Sequence, residues 1–369
     1  MAKNGLKVMD SDMHVIEPAD LWQRYIDPTF RDRCPKGIDR WMGDMQLDIE
    51  GVESPPPRPS DAWEASKARE LDERYVDSVA SNWDSASQVR AMDKEGVDLT
   101  VLYPSRGLYA LALDGMDPPL AAAIARAYNH WMHDFCSYAP KRLYGAAMVS
   151  PFDVETAVIE ARRSIQELGL KAIFVRPNVV NGRNWHDPCY DPLWRQIQDL
   201  GVPLGFHEGA WAGLPQVGSR FETYMMHHVC CHPMEMMLAT VSMIGGGVLE
   251  RFPNLWVGFL EGNCSWVPWL VWRLDEHFEL SGRYESPELK MEPQEYFKRQ
   301  CFVSIEADEE PAVFLEQSDL IDNVVFSTDY PHNDAKYPHA IDLFLTMPLS
   351  EETKGKILWD NCVRMYGFD

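Results

Sequence analysis

The chain has 369 residues, and its 57 acidic residues against 34 basic ones give a net charge of −23. A strongly acidic chain without any Lys/Arg-rich run is a poor partner for nucleic acid or for an anionic membrane surface, and we expect neither. No window approaches the about 18 uninterrupted apolar residues of a membrane-spanning helix, and the first residues lack a signal-peptide pattern, so we expect a cytoplasmic protein.

Short β-rich runs alternate with longer helical patterns along the chain. Eight such runs occur, in the order "LKVMDSD" (6–12), "VDLTVLY" (97–103), "LYGAAMVS" (143–150), "KAIFVRP" (171–177), "VPLGFH" (202–207), "LWVGFLE" (255–261), "CFVSIEAD" (301–308) and "NVVFSTD" (323–329). The alternation is typical of βα units around a parallel sheet. It predicts an α/β protein that forms one closed (β/α)₈ TIM barrel over residues 1–369.

The helix candidates lie between these runs. The clearest are "PPLAAAIARAYNHWMHDFC" (118–136), "VETAVIEARRSIQEL" (154–168) and "PMEMMLATVSMI" (233–244). Proline is favoured at the first helical position, so Pro118 and Pro233 predict the starts of two of these helices.

Residues 17–85 do not fit the repeating pattern. This stretch follows the first run, lacks clear periodicity and contains "ESPPPRPSD" (53–61). A long irregular insertion in a compact fold is usually a lid or a binding loop. We interpret it as a cap over the barrel mouth, and a contact between subunits is an equally good alternative.

Polar residues stand at the C-terminal ends of six of the eight runs. They are Asp12 and His14, Arg176, His207 and Glu208, Glu261, Glu306 and Asp329. Barrel enzymes carry their chemistry at this end of the strands. Polar groups with purely structural roles would be scattered over both ends, so the concentration at one end indicates an active site.

Four of these residues form a candidate metal site. Residues two apart in a strand point the same way, so Asp12 and His14 can both face the barrel axis and offer an oxygen and a nitrogen to one ion. A single D-x-H pair is a weak signal, but His207 and Asp329 at two other strand ends strengthen it. Such groups would repel and desolvate one another unless they held a cation.

At these positions the sequence resembles the amidohydrolase superfamily. The resemblance rests on "MDSDMH" (9–14), "GFHEG" (205–209), "RFPNLWVGFLEGNCSWVPWLVWRLDE" (251–276) and "FSTDYPH" (326–332). It is greatest to the amidohydrolase-2 group, which includes aminocarboxymuconate semialdehyde decarboxylase and γ-resorcylate decarboxylase. The resemblance implies a metal-bearing (β/α)₈ barrel whose ligands are Asp12, His14, His207 and Asp329.

One position departs from this pattern. The decarboxylases of the group place a proton-handling histidine on the sixth strand, where this chain has Glu261. A carboxylate differs from a neutral imidazole in resting charge and basicity, which argues against decarboxylase chemistry.

The segment "MMHHVCCHPMEMM" (225–237) supplies further candidate ligands. His232 and His228 lie four residues apart, and together with Glu261 they offer enough donors for a second metal ion. His332 and Glu208 are further candidates for either the ligand set or its surroundings, whereas His227 is better explained as a capping or surface residue.

Other residues give weaker signals. Arg176 is a candidate for binding a substrate carboxylate, with a salt bridge to Glu208 or Glu306 as an equal alternative. Tyr103 and Trp211 are candidates for lining an apolar substrate pocket. For Trp211, Trp266 and Trp269, ordinary core packing is the better single interpretation.

The surplus of histidine and carboxylate ligands favours an oxygen-activating enzyme. The resemblance includes a branch with two non-haem iron ions, or a manganese and an iron, and we therefore expect an O₂-dependent monooxygenase that hydroxylates an aliphatic C–H bond of a small or medium organic acid. Glu261 and Asp329 are its expected catalytic residues. The alternative is a decarboxylase or hydrolase with one Zn or Mn ion. A non-enzymatic barrel is the least favoured reading.

The expected partners follow from this reading. They are the organic acid, O₂ for an oxygenase, and either a second copy of the chain or a paralogous subunit.

Overall fold

A computed structural model describes residue 3 and residues 5–39, 45–56 and 73–368. Eight parallel strands form one sheet in the order β1-β5-β6-β7-β8-β9-β10-β11, and three short antiparallel strands form a second sheet. The strands are β1 (Met9–His14), β2 (Lys36–Gly37), β3 (Leu47–Ile49), β4 (Val52–Ser54), β5 (Leu99–Tyr103), β6 (Leu143–Met148), β7 (Ala172–Val175), β8 (Leu204–His207), β9 (Val257–Leu260), β10 (Cys301–Ile305) and β11 (Val324–Phe326). The predicted (β/α)₈ barrel is confirmed, and each of the eight predicted runs contains or overlaps one barrel strand.

Helices connect the strands around the outside of the barrel. They are α1 (Leu21–Tyr25), α2 (Ser85–Glu95), α3 (Gly107–Ala110), α4 (Pro118–Cys136), α5 (Val154–Gln166), α6 (Asp191–Leu200), α7 (Tyr224–Gly245), α8 (Val248–Arg251), α9 (Val267–His277), α10 (Arg283–Glu285), α11 (Pro293–Gln300), α12 (Val313–Gln317), α13 (Ala340–Thr346), α14 (Glu351–Gly355) and α15 (Asn361–Tyr366). Residues 73–80 are also helical, and π-helical turns occur at Phe278–Gly282 and Lys356–Asp360. No helix among the described residues has the length and apolar character needed to cross a bilayer.

Side chains complete the seam between the last barrel strand and the first. The hydroxyl of Ser11 donates to the carbonyl of Phe326 at 2.6 Å, and that of Ser327 donates to the carbonyl of Asp12 at 3.0 Å. Tyr366 donates to the carbonyl of Ser11 at 2.6 Å. These bonds satisfy buried carbonyl groups at the seam, and they bring the ends of β1 and β11 together.

An irregularity in β1 shapes the mouth of the barrel. The pairing register with β5 shifts between Asp10 and Met13, as in a β-bulge. The buried Asp10 carboxylate accepts from the Asp12 amide at 3.1 Å and from the Thr328 hydroxyl at 2.5 Å. Burial raises the pKa of Asp10 to about 7, against the lowering effect of these hydrogen bonds. Asp10 therefore ties β1 to the chain that follows β11.

The insertion has more structure than the sequence predicts. Its described residues include α1, the β2–β3–β4 sheet and the helix through 73–80. Glu17 anchors its start, because its buried carboxylate accepts the amide hydrogens of Ser105, Arg106 and Gly107 after β5. The proline-rich stretch 53–61 lies outside the described residues from position 57 onward. The single-domain assignment stays a prediction.

The helix α7 begins nine residues before the predicted start. Thr223 caps it by accepting from the Met226 amide, and Pro233 lies inside the helix. Proline lacks the amide hydrogen that would bond to the carbonyl one turn earlier, so the helix continues past Pro233 without that bond. His228 and His232 consequently lie one turn apart on one helix face.

The interior of the barrel is filled just below the mouth. A side-chain carbon added to Gly205 on β8 would lie 2.6 Å from the Tyr103 hydroxyl oxygen. That hydroxyl shares a hydrogen bond of 3.1 Å with the hydroxyl of Tyr366. Glycine at position 205 is therefore required for Tyr103 to cross the barrel.

We expect Gly205→Ala to lower the free energy of unfolding by about 1–3 kcal/mol, because overpacking displaces a tyrosine that has no room to move. Denaturant titration measures the change. The matched control is Gly355→Ala at the end of α14, where an added carbon meets no atom within 4 Å. That variant should be equally stable or about 0.5–1 kcal/mol more stable. Equal stability of the two variants would contradict the close packing.

Candidate active site

Two imidazoles and an aspartate meet at the mouth of the barrel. The Nε2 atoms of His14 and His207 are 3.0 Å apart, and Asp12 Oδ1 lies 3.6 Å from the first and 3.2 Å from the second. All three side chains are fully buried. The structure thus brings together the first three predicted ligands, from β1 and β8.

The backbone fixes the tautomers of both histidines. His14 Nδ1 lies 2.8 Å from the carbonyl oxygen of Pro104, and His207 Nδ1 lies 2.8 Å from that of Glu208. A carbonyl oxygen only accepts hydrogen bonds, so each Nδ1 carries a hydrogen. In the neutral rings both Nε2 lone pairs therefore point at each other, an arrangement that needs a positive charge between them.

Four carboxylate oxygens surround the same point, and apart from the imidazole nitrogens of the cluster they have no hydrogen-bond partner among the described residues. They are both oxygens of Asp12, Oε2 of Glu261 and Oδ1 of Asp329. Glu261 Oε2 is 3.3 Å from His14 Nε2 and 3.1 Å from His207 Nε2. Buried polar atoms are rarely left unpaired. Nitrogen and carboxylate donors without thiolate fit one divalent ion such as zinc or manganese.

The electrostatics of the protein alone point the same way. Burial lowers the pKa of His14 to about 4. Burial also opposes the charging of His207, but the carboxylates of Asp12 and Glu261 outweigh it and raise the pKa of His207 to about 10. Burial and the Glu261 carboxylate together raise the pKa of Asp329 well above its usual value. The cluster holds excess negative charge that a proton or a cation must balance.

The two carboxylates at the ends of β9 and β11 have a strained backbone. Glu261 has φ = 49° and Asp329 has φ = 55°, both in the left-handed region. Aspartate tolerates this region better than glutamate, and such conformations concentrate at functional sites. The Glu261 amide donates to the Ser304 hydroxyl at 2.9 Å, which helps to hold the turn. The strain directs both carboxylates over the barrel mouth.

The helix α7 contributes one histidine to the cluster directly. His232 Nε2 is 3.1 Å from Glu261 Oε1, and its Nδ1 is 3.1 Å from the thiol sulfur of Cys231. His228 lies outside the donor cluster: its ring is centred 4.6 Å from that of His232 and 4.8 Å from that of Tyr224. His228 is therefore placed on the wall of the cleft rather than among the converging donors.

His332 belongs to the cluster. Its Nδ1 is 2.7 Å from Asp329 Oδ1 and 3.6 Å from Glu261 Oε2, and its Nε2 shares a hydrogen bond of 2.9 Å with the Ser105 hydroxyl. His14, Glu261, Asp329 and His332 form one set of converging donors, and Asp12, His14 and His207 form another. Because both sets contain His14, they make one continuous centre rather than two separate sites.

Arg176 lies away from the cluster. It donates to Glu208, to the carbonyls of Leu108 and Gly209 at 3.0 and 2.7 Å, and to Asn178 at 3.1 Å. Its donors are thus occupied within the fold, which matches the alternative of an ion pair with Glu208. Glu208 supports the chain next to His207 and does not reach the cluster.

The two aromatic candidates also lie outside the cleft. Tyr103 is fully buried below the cluster, where its ring stacks on His207 with centroids 5.4 Å apart. Trp211 packs against His227 with centroids 4.3 Å apart, and His227 is buried rather than on the surface. Trp269 was expected in the core, but its side chain is exposed.

Some residues near the site escaped the sequence reasoning. Met45 and Trp83 of the insertion line a small chamber of about 60 Å³ at the cluster, beside Glu261 and His332. Asp10 could have been recognised, because "DSDMH" places it two residues before Asp12. Met45 and Trp83 gave no such signal, because their position depends on how the insertion folds back.

Comparisons with known proteins identify the family. The family model described as amidohydrolase matches residues 9–368. The chain belongs to the amidohydrolase family. It is 29% identical over 303 residues to 2-amino-3-carboxymuconate-6-semialdehyde decarboxylase of Dictyostelium discoideum, covering 81% of each chain. It is 24% identical to γ-resorcylate decarboxylase of Rhizobium sp. (strain MTP-10005), covering 84% of this chain and 92% of the relative.

Solved structures share the fold. The 5-carboxyvanillate decarboxylase of Sphingomonas paucimobilis aligns with a TM-score of 0.73 and 22% identity, over 99% of this chain and 100% of that one. A dihydroxybenzoic acid decarboxylase of Polaromonas sp., solved with bound manganese, aligns with a TM-score of 0.68 and 19% identity, over 98% and 97%.

These comparisons overturn the expected activity. The O₂-dependent monooxygenase with non-haem iron is wrong, because the relatives in sequence and the structural neighbours named above are decarboxylases, one of them solved with bound manganese. For the metal, the Polaromonas neighbour was solved with bound manganese, and the donors of this chain form a possible metal site. Replacement of the sixth-strand histidine by Glu261 was given too much weight. The prediction of a metal-dependent enzyme of the amidohydrolase superfamily is confirmed.

We expect His207→Ala to reduce bound manganese from about one ion per chain to nearly none. The variant loses the imidazole nitrogen that would bind the ion together with Asp12 and Glu261. Metal analysis after dialysis measures the content, and circular dichroism checks the fold. His277→Ala, at an exposed helix position, is the matched control for incidental histidine binding and should keep the full content. A folded His207→Ala protein with full metal would rule out this centre.

Proposed function

We propose that the protein is a decarboxylase that uses one divalent metal ion, manganese or zinc, to remove CO₂ from a small carboxylated organic acid, aromatic or otherwise unsaturated. The observation that carries the proposal is the convergence of the His14 and His207 Nε2 atoms with carboxylate oxygens of Asp12 and Glu261. The decarboxylase relatives in sequence support the choice of reaction. The reaction balances without an oxidant, because the carboxylate leaves as CO₂ and a proton takes its place on carbon.

The metal-holding residues in this proposal are Asp12, His14, His207 and Asp329, with Glu261 at the open side. A divalent ion held by them supplies positive charge that stabilises negative charge on the substrate oxygens. The hydrogen bonds from each Nδ1 to the carbonyls of Pro104 and Glu208 keep both imidazoles in the tautomer that such an ion needs.

The proton that replaces CO₂ needs a donor at the mouth of the barrel. Burial opposes the ionisation of Glu261, but His207, His14 and His232 hold its pKa well below the usual value, so Glu261 relays the proton rather than storing it. Its Oε1 is 3.1 Å from His232 Nε2, which connects it to the cleft wall. Asp329, linked to His332 at 2.7 Å, is the second candidate donor. In this arrangement Glu261 and Asp329 have the catalytic roles. The pair of Glu261 and His232 takes the place of the single proton-handling histidine on the sixth strand of the group's decarboxylases.

The insertion is proposed to exclude water from the reacting carbon. Met45 and Trp83 bring apolar surface into the chamber beside Glu261. Exclusion of water strengthens the interaction between the cation and the developing negative charge. The lid therefore has a catalytic purpose, rather than only a structural one.

We expect manganese-loaded protein to release labelled CO₂ from carboxyl-labelled hydroxybenzoates, 2,6-dihydroxybenzoate among them, and to do so equally well without O₂. Glu261→Gln should lower the rate by at least about 100-fold, because the amide cannot pass a proton to carbon. Glu279→Gln, at an exposed position, is the matched control and should keep the full rate. Turnover that consumes O₂, or CO₂ release that survives removal of the metal, would contradict the proposal.

We further propose that two copies of the chain associate through the outer faces of α7 and α9, which pack side by side. Large apolar side chains are exposed on these faces and on the turns that follow α9. They are Met234, Leu238, Val241, Trp269, Trp272, Leu280 and Tyr284. Together they expose on the order of 800 Å², about what each partner contributes to a standard interface. Two-fold pairing of one such face with itself is the commonest arrangement.

We expect light scattering after size-exclusion chromatography to give twice the chain mass, and Trp272→Glu to shift the protein to single chains. A charge buried at a former apolar contact opposes association. Ile159→Glu, on the exposed face of α5, is the control and should remain dimeric. A monomeric parent protein at micromolar concentration would contradict the proposed interface.

A further inference from the structure

A second, larger cavity opens outward from the donor cluster. It measures about 730 Å³, within the usual range for small-molecule sites, whereas the inner chamber measures about 60 Å³. The two spaces share the side chains of Tyr224, His228, His232, Glu261 and Asp334. They are therefore two parts of one cleft, narrow at Glu261 and wide beyond it.

One wall of the outer cavity is apolar and solvent-accessible. Met225 and Val229, one turn apart on α7, line it together with Pro233, and they are 73% and 67% exposed. On the same helix, Leu238 lies 13 residues after Met225, which at about 100° per residue places it on the opposite face. The exposed apolar residues Met225 and Val229, before Pro233, thus line the cleft, whereas the exposed Leu238 and Val241, after it, lie on the other side of the helix. They are two distinct surfaces.

The polar residues of the outer cavity differ between its neck and its wall. His228 and His232 lie with Glu261 where the cavity meets the inner chamber, and the wall also carries Glu306 and Asp334 and the neutral Asn263 and Thr223. Among the described residues, neither lysine nor arginine lines this space. A second negative charge on the ligand, placed near Glu306 and away from the histidines, would meet carboxylates without a lysine or arginine to balance them, so this part of the cavity disfavours it.

We infer that the outer cavity binds the body of the substrate. The substrate is a carboxylic acid whose acid group lies at the donor cluster and whose remainder is an extended apolar group, without a second anionic group, lying along Met225 and Val229. This inference rests on the proposed function and adds a substrate class to it.

The size difference between the two spaces supports this assignment. A single-ring acid held in the inner chamber would leave most of the 730 Å³ outer cavity, and the apolar surfaces of Met225 and Val229, in contact with water. An apolar extension removes that surface from water, which is favourable in proportion to the area covered. Met225 and Val229 are therefore specificity-determining residues.

Calorimetry on the manganese-loaded protein tests the inference through binding alone. The probes are 2-hydroxybenzoate, its octyl derivative, and a derivative of the same length whose chain ends in a carboxylate. We expect the octyl compound to bind at least about tenfold more tightly than the parent acid, because it covers the apolar wall. We expect the terminal carboxylate to remove that gain. An octyl compound that binds no more tightly than the parent overturns the inference, and so does undiminished binding of the dicarboxylate.

A substitution in the apolar wall of the outer cavity tests whether the octyl group binds there. Val229→Trp fills the cavity and should reduce the octyl-to-parent affinity ratio at least about fivefold. Ile159→Trp, a β-branched residue on an exposed face of α5, is the matched control and should preserve the ratio. An unchanged ratio in a folded Val229→Trp protein would overturn the assignment, since the octyl group would then bind elsewhere.

The same measurements separate failure of this inference from failure of the proposed function. Tight, manganese-dependent binding of the octyl compound without CO₂ release from it or from any hydroxybenzoate would refute decarboxylation and leave the cavity assignment standing. CO₂ release from the parent acid with no preference for the octyl compound would support decarboxylation and refute the cavity assignment.

Discussion

The structure of the site depends on two backbone carbonyls. The carbonyl groups of Pro104 and Glu208 each accept from the Nδ1 of a buried histidine, and this forces the Nε2 lone pairs of His14 and His207 toward a common point. The carboxylates of Asp12 and Glu261 then become tolerable in a buried position only because a positive charge can reside among them. The barrel supplies the rigidity, since each of these groups lies at the end of a strand or directly after one.

Strand ends are readable from sequence for a clear physical reason. A barrel strand alternates its side chains and ends at one rim, so a polar residue that terminates an apolar run must lie at that rim. Asp12, His14, His207, Glu261 and Asp329 were all found in this way, and His332 followed from its distance to Asp329. The barrel itself was predictable because eight apolar runs alternate with helical patterns.

Other features depend on contacts between distant parts of the chain. Nothing in the local sequence shows that Arg176 donates to Glu208 and to the Gly209 carbonyl. Nor does it show that Trp83, at the far end of the insertion, lies at the barrel mouth. The start of α7 was misplaced because Pro233 is a strong local start signal, whereas the Thr223 cap is a weaker one. The prediction of a monooxygenase was wrong because it relied on the glutamate at position 261. The identity of one residue does not determine the reaction of a whole cluster.

The seam of the barrel has a mechanical consequence. Seven neighbouring pairs of strands are joined by backbone ladders. At the seam, β1 is held to β11 and the residues after it by the serine contacts, the bonds from Thr328 to Asp10 and one backbone bond from His14 to the Tyr330 carbonyl, and Tyr366 bonds to β1 beside them. Asp12 and His14 lie on one side of this seam and Asp329 on the other. An ion bound to residues on both sides would stabilise the closed seam. The amide hydrogens along the seam would then exchange with solvent more slowly when the ion is bound. Parting of the seam and release of the ion would then be a single event.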